Sequence, residues 1–189
     1  MNMRNVSSLL KLILVVSVFT GTTFLVSCKS DIETVKALSN FEGKPSEEMK
    51  NFKMVYTEGG KVRMIVSAPE LKRYGMSKKP FSEFKKGINV ISYNEQGLKV
   101  ASITSKYAIY HEDEQLWEAR NDVVGKNNKG ETLYTEKLFW NEKTRRISSD
   151  VFVKVVKPDG SVSSGEGLDA DEKFQDYDIK KPRFTGFSF

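Results

Sequence analysis

Asn51-Phe52-Lys53-Met54-Val55-Tyr56, then Gly59-Gly60, then Lys61-Val62-Arg63-Met64-Ile65-Val66-Ser67 is the stretch on which the fold turns. Phe52, Met54 and Tyr56 share one side of the first run. Val62, Met64 and Val66 alternate against Lys61, Arg63 and Ser67 in the second. A period of two belongs to extended chain, and two such runs around a glycine-rich turn make a β-hairpin. No apolar run at helical spacing persists for three turns downstream, so the reading from Asn51 onward is all-β.

The same arrangement returns along the chain. Gly60, Gly97, Gly130 and Gly160 each sit in a polar turn that opens a strand, at the spacing expected of an internal repeat. Small or polar residues mark the strand ends that follow: Ser67-Ala68, Thr104-Ser105, Thr135-Glu136 and Leu168-Asp169-Ala170. Charged turns at His111-Glu112-Asp113-Glu114 and Asn141-Glu142-Lys143 lead into return strands, Leu116 to Val124 and Ile147 to Val156. Lys78 to Lys86 reads as an irregular connection. One hairpin cannot bury its own apolar face, so the units must stack, giving two facing antiparallel sheets in a jelly roll or flattened barrel.

Upstream, Arg4 precedes an apolar stretch from Leu9 to Val26 that ends in Leu25-Val26-Ser27-Cys28. A charged start, an apolar core and a small-residue exit describe a secretory signal. Cys28 is the only cysteine, and behind Leu-Val-Ser it resembles a bacterial lipobox, whose thiol takes a diacylglycerol. An uncleaved transmembrane anchor is the other reading, since about eighteen apolar-leaning residues just span a bilayer. The expected organisation is a signal peptide at 1–27, a lipidated tether at 28–50 and a β-domain at 51–189. A short helical turn at Ser46–Met49 fits the end of the tether. With one cysteine no internal disulfide can form. Removing Arg4 and Lys11 takes the formal charge from +5 to +3, a mild balance that a solvated surface explains.

Catalytic candidates are few. The one histidine, His111, lies in an acidic turn and has no second histidine or cysteine near it for a triad or zinc site. Gly125-Lys126-Asn127-Asn128-Lys129-Gly130 has a phosphate loop's glycine spacing, but Glu131 stands where the lysine belongs. Asp169, Asp171 and Glu172 lack a full oxygen-ligand loop for calcium. The reading is of a protein with no catalytic residues, no metal, no cofactor and no nucleic-acid partner. Aromatic residues instead populate the strands. Trp117, Trp140 and Phe152 are placed inside by burial logic, and a filled core and a groove look alike at this level.

The order of segments resembles the LptC family, the membrane-tethered periplasmic component of the lipopolysaccharide-export ABC transporter. The resemblance runs from about Phe52 to Phe187. It is carried by Phe52-x-Met54-x-Tyr56-Thr57-x-Gly59-Gly60, Ser67-Ala68-Pro69-Glu70-Leu71 and Phe84-Lys85-Lys86-Gly87-Ile88. Leu116-Trp117-Glu118-Ala119-Arg120-Asn121-Asp122-Val123 is its most specific run. Gly130-Glu131-Thr132-Leu133-Tyr134-Thr135-Glu136, Gly165-x-Gly167-Leu168 and Tyr177-x-Ile179 complete it. The chain looks most like the lipoprotein branch of Bacteroidetes-type bacteria.

That resemblance implies a twisted antiparallel jelly roll with a groove for the acyl chains of lipid A. Each methylene left in water costs roughly 0.8 kcal/mol, so long chains need such cover to cross an aqueous compartment. Phe84 and Tyr177 match groove-lining positions of the family. Phe52, Met54, Tyr56 and Gly60 match the end that docks on the transporter. Gly165 and Gly167 match the end that docks on the next soluble bridge protein. The implied role is passage of lipopolysaccharide from the inner-membrane ABC transporter to that bridge, with the chain lipid-anchored at the periplasmic face of the inner membrane. Lys29, where an aspartate often marks inner-membrane retention, leaves the outer membrane open. The alternative reading is an envelope lipoprotein that docks partners through edge strands and carries no lipid.

Overall fold

β1 (Glu47–Glu58) and β2 (Lys61–Tyr74) form a long hairpin that turns at Gly59-Gly60, as the alternation predicts. The computed structural model describes residues 43–183. The expected signal, Cys28 and the tether up to residue 42 lie outside these residues. Ser46–Met49 does not form a helical turn. The Ser46 hydroxyl donates to the Arg73 carbonyl at 3.0 Å, and Glu47–Lys50 pair with Arg73–Glu70 of β2. One isolated turn fixes several dihedrals for a single hydrogen bond, whereas an existing strand edge offers a ladder, so the strand wins.

The chain continues as β3 (Phe81–Phe84), β4 (Ile88–Tyr93), β5 (Lys99–Ser105), β6 (Tyr107–His111), β7 (Leu116–Asn127) and β8 (Thr132–Asn141). β9 (Arg146–Val156), β10 (Val162–Asp171), β11 (Tyr177–Ile179) and β12 (Pro182–Arg183) complete it. The Lys78–Lys86 connection is therefore not irregular throughout, because β3 pairs with both β2 and β6. The lysines on either side mask a four-residue alternation whose inward members are Ser82 and Phe84. The four repeat glycines all turn at positive φ, between 75° and 81°. Among the described residues no helix is long and apolar enough to cross a membrane.

The two expected facing layers are halves of one antiparallel, 12-stranded sheet. β3 with β4, and β5 with β6, each act as one interrupted strand. β2 therefore pairs with β4 through Met64–Ser67 and with β3 through Lys72–Tyr74. β7 likewise pairs with β6 through Leu116–Arg120 and with β5 through Val124–Asn127. The sheet is a meander of long strands, all bent at the same level into a jelly roll.

The bends have local causes. Asn51 (φ 53°) stands between pairs in β1, opposite Pro69, which has no N–H to donate. Asn121 (63°), Asp122 (50°) and Gly167 (98°) interrupt β7 and β10 with bulges. At Gly87 (88°) the chain passes from one half to the other so closely that a Cβ would lie 2.4 Å from the Ser105 carbonyl oxygen. Where ladder bonds are lost, hydroxyls replace them. Thr135 donates to the Phe152 carbonyl at 2.8 Å, Ser149 to Lys137 at 2.9 Å and Ser105 to Tyr107 at 2.8 Å. Thr135 and Ser149 are buried, so without these bonds their hydroxyls would be unsatisfied away from water.

Folding the sheet gives two cores. The C-terminal one is closed and contains Val123, Leu133, Leu138, Ile147, Val153, Val155, Leu168 and Phe174. The N-terminal one gathers Val66, Leu71, Phe84 and Ile88, with Phe52, Met64, Tyr110 and Trp117 packed against it. It does not close.

Candidate functional site

Between the two halves of the sheet, beside the N-terminal core, lies a cavity of about 640 Å³. That is within the size range of ligand pockets and far larger than the gaps left in an ordinary packed core. One half contributes Phe52, Met54 and Tyr56 of β1, Met64 of β2 and Val90 of β4. The other contributes Leu71, Phe84, Tyr110, Trp117 and Trp140. The alternation in β1 delivers its side chains here because the strand's inner face looks across the fold.

Rings form a continuous run along the wall. Centroid separations are 5.8 Å for Phe52–Phe84, 5.7 Å for Phe84–Trp117, 4.5 Å for Tyr110–Trp117 and 6.3 Å for Trp117–Trp140. Phe84, between Phe52 and Trp117 in this run, is only 1% exposed. The polar lining is different: Glu58 pairs with Arg63 and Arg145 with Glu172, and the Glu58 and Arg145 side chains are 63% and 69% exposed. The cavity is thus apolar within and charged where it meets water. Glu142 reaches between these zones, accepting from Trp117 Nε1 at 2.8 Å and from the Tyr110 hydroxyl at 3.3 Å. Burial, with Glu142 beside it, pushes the Tyr110 phenol up to about 12.

Of the expected groove residues, the structure brings Phe84, Trp117 and Trp140 together at the cavity and leaves two elsewhere. Phe152 is 43% exposed on the outer face, with the Arg183 guanidinium 5.7 Å from its ring centroid. Alternation along β9 puts Ile147, Ser149, Val153 and Val155 on the buried face and Phe152 on the opposite one. Tyr177 stacks on Phe174 at 4.8 Å in the closed core, and its hydroxyl donates to Glu131. Tyr110, Met64 and Val90 were not among the expected residues. The signal for Tyr110 was its place two residues after Ala108, on the inward face of β6, where it pairs with Trp117.

The two ends differ. Among the described residues β1 pairs only with β2, so its outer edge is open, with Phe52, Met54 and Tyr56 along it and Gly60 in the adjoining turn. Tyr56 is 51% exposed. At the other end the chain's own β11 and β12 cover β10. A Cβ on Gly165 would come within 2.6 Å of Ile179 Cγ2 and of the Lys180 carbonyl oxygen, while Gly167 accepts from the Lys180 amide. Both glycines hold this strap down and neither lies on a free edge.

The other candidates have structural partners. Asn127 donates to Glu131 and to the Phe174 carbonyl, both at 2.7 Å, and locks the hairpin turn that has phosphate-loop spacing. Asp169 pairs with Arg146, and Asp171 accepts from the Lys173, Gln175 and Asp176 amides. His111 lies 3.9 Å from Glu118 on the face away from the cavity.

The folded meander and its cavity define an all-antiparallel jelly roll with an apolar channel between its halves and an open edge strand at one end. The chain belongs to the LptC-related lipopolysaccharide-assembly family, whose model matches residues 13–182. It is therefore involved in lipopolysaccharide transport. The family is a periplasmic, inner-membrane-associated transport component that works with lipopolysaccharide, the Lpt transporter and bridge proteins. A search of curated proteins finds no match.

Proposed function

We propose that the protein receives lipopolysaccharide from the inner-membrane ABC transporter and passes it to the next periplasmic bridge protein, holding the acyl chains in the cavity between the two halves of its sheet. A lipid on Cys28 is the proposed tether. The observation that carries this reading is the 640 Å³ cavity with its unbroken wall of rings from Phe52 to Trp140. An acyl chain leaving a bilayer loses roughly 0.8 kcal/mol of protection per methylene, and an apolar channel restores it. The charged rim suits the part of the lipid that stays in water. The open edge of β1, with Phe52, Met54, Tyr56 and the Gly60 turn, is the proposed contact with the transporter, since unpaired strand edges accept partner strands. Gly165 and Gly167 take part at the other end through the β11–β12 strap they support. A docking module that carries no lipid calls for a filled interior, which the cavity disfavours.

The test is native mass spectrometry of the full chain with lipid A. Wild type is expected to retain lipid and Phe84→Asp to lose it, because a carboxylate at that depth costs several kcal/mol to desolvate. A photocrosslinker at Phe84 should capture lipopolysaccharide in cells, and one at Phe152 should not. Equal retention by wild type and a folded Phe84→Asp chain would overturn the reading.

A further inference from the structure

The acidic residues that line the cavity have different partners. Glu58 pairs with Arg63 and Glu172 with Arg145, both at the charged rim. Glu142 has no ion pair among the described residues. The neighbouring Lys143 donates to the Asp113 carbonyl at 3.1 Å, and Arg145 is taken by Glu172. The Glu142 carboxylate bonds to two neutral rings instead, one oxygen accepting from Trp117 Nε1 and the other from the Tyr110 hydroxyl. Trp140, Trp117 and Tyr110 are paired across β8, β7 and β6, and Glu142, two residues past Trp140, shares their face. The carboxylate therefore lies on the cavity side of the sheet, partly buried, where the ring wall ends. An ionised carboxylate has about four acceptor sites, and the two rings use two of them. An occupant lying on the wall displaces water from the others. It must then bring a donor or leave a charged group short of its bonds, which costs more than for a neutral group.

We infer that Glu142 determines which acyl lipids the cavity holds, by accepting a hydrogen bond from an N–H or O–H at the root of an acyl chain. The inference rests on the acyl-chain reading of the cavity and adds a choice among lipids. Hydrocarbon alone gives no such choice, because Phe52, Phe84 and Trp117 cover any chain alike. An N-acylated sugar carries the donor where chain meets head group. A diacylglycerol phospholipid carries only ester oxygens there, and these would face the carboxylate acceptor to acceptor. Glu142 thus acts in both directions, favouring the amide and rejecting the ester.

The full chain is titrated with N-(2-hydroxyethyl)octanamide and with 2-hydroxyethyl octanoate, which differ by N–H against O at the chain root. Binding is followed by tryptophan fluorescence, since both indoles of the chain line the cavity. The amide is expected to bind about tenfold more tightly, the value of one hydrogen bond to a charged acceptor. Its ¹⁵N-labelled amide proton should move downfield on binding. Glu142→Gln keeps the side chain's size but removes its charge, and should bring the two affinities close to equal. Loosening of Trp117 and Tyr110 alone would weaken both ligands and leave their ratio unchanged, so the ratio separates recognition from a structural role. Equal binding by wild type, an unshifted amide proton, or a preference undiminished in folded Glu142→Gln would overturn the inference and leave the cavity reading standing. Binding of neither ligand by folded wild type would overturn both.

Discussion

Phe152 and Leu133 show how far an aromatic or aliphatic residue's worth depends on its side of the sheet. Leu133 is 1% exposed in the closed core, and Phe152 is 43% exposed beneath Arg183. Leu133→Ala should cost about 2–5 kcal/mol in chemical denaturation, the usual loss for a buried leucine. Phe152→Ala should stay within about 1 kcal/mol, since only surface contact and a cation–π interaction are lost. Reversed magnitudes would place the inner face of β9 on the other side. Aromatic content alone could not separate Phe152 from Trp117, because both are large rings in alternating strands. Position within β9 is what separates them: Ile147, Ser149, Val153 and Val155 are buried at a period of two, and Phe152 is out of step with that series.

At the scale of the strand, the small and polar residues after each repeat glycine are the informative ones. Ser67-Ala68 and Thr135-Glu136 read as strand ends, yet β2 and β8 run through them; β5 does stop at Ser105, and β10 ends at Asp171, just past Leu168-Asp169-Ala170. Ser67-Ala68 and Thr135-Glu136 lie at or beside the bend, where hydroxyls stand in for missing ladder bonds. Thr135→Val removes the donor to the Phe152 carbonyl while keeping the shape, and should cost about 1–3 kcal/mol at the denaturation midpoint. Thr135→Ser should recover most of that. If Val is neutral, the hydroxyl does not hold the bend. The location of the breaks was legible in the chain. Their nature as bends was not, because a bend and an end present the same loss of alternation.

For the whole molecule, pH reports on the enclosed surfaces. Tyr107, Tyr110 and Tyr177 have phenols pushed from 10.0 up to about 12, in each case chiefly by burial. A raised folded value means that their contribution to stability is fully present below pH 10 and fades as pH rises toward 12. Unfolding in alkali should therefore fall in that window, with tyrosinate absorbance rising together with loss of strand signal. Tyr110→Phe should weaken the alkaline dependence and remove a donor to Glu142. Ionisation at pH 10 with the fold intact would count against enclosure of these rings. In acid the sign reverses. The Arg73 guanidinium, bonded at 2.8 Å, holds the Glu112 carboxyl below its usual range, so this link between β2 and the turn after β6 is lost as pH falls through the lowered value.

By itself the chain determined that its folded part is antiparallel β, where its hairpins turn, and which family it joins. These follow from alternation, glycine position and motif order, all of which are local. It also placed Phe84, Trp117 and Trp140 inside. Tertiary structure decided that the two facing layers are one sheet folded along a line from Asn51 to Gly167. It decided that Tyr177 closes one core while Tyr110 lines the other, and that β11 and β12 cover the edge beside Gly165. Those outcomes depend on register between strands distant in sequence and on where the folded halves part. Whether apolar faces meet as a filled core or stand apart as a channel is set by their separation, which no pattern of residue types encodes.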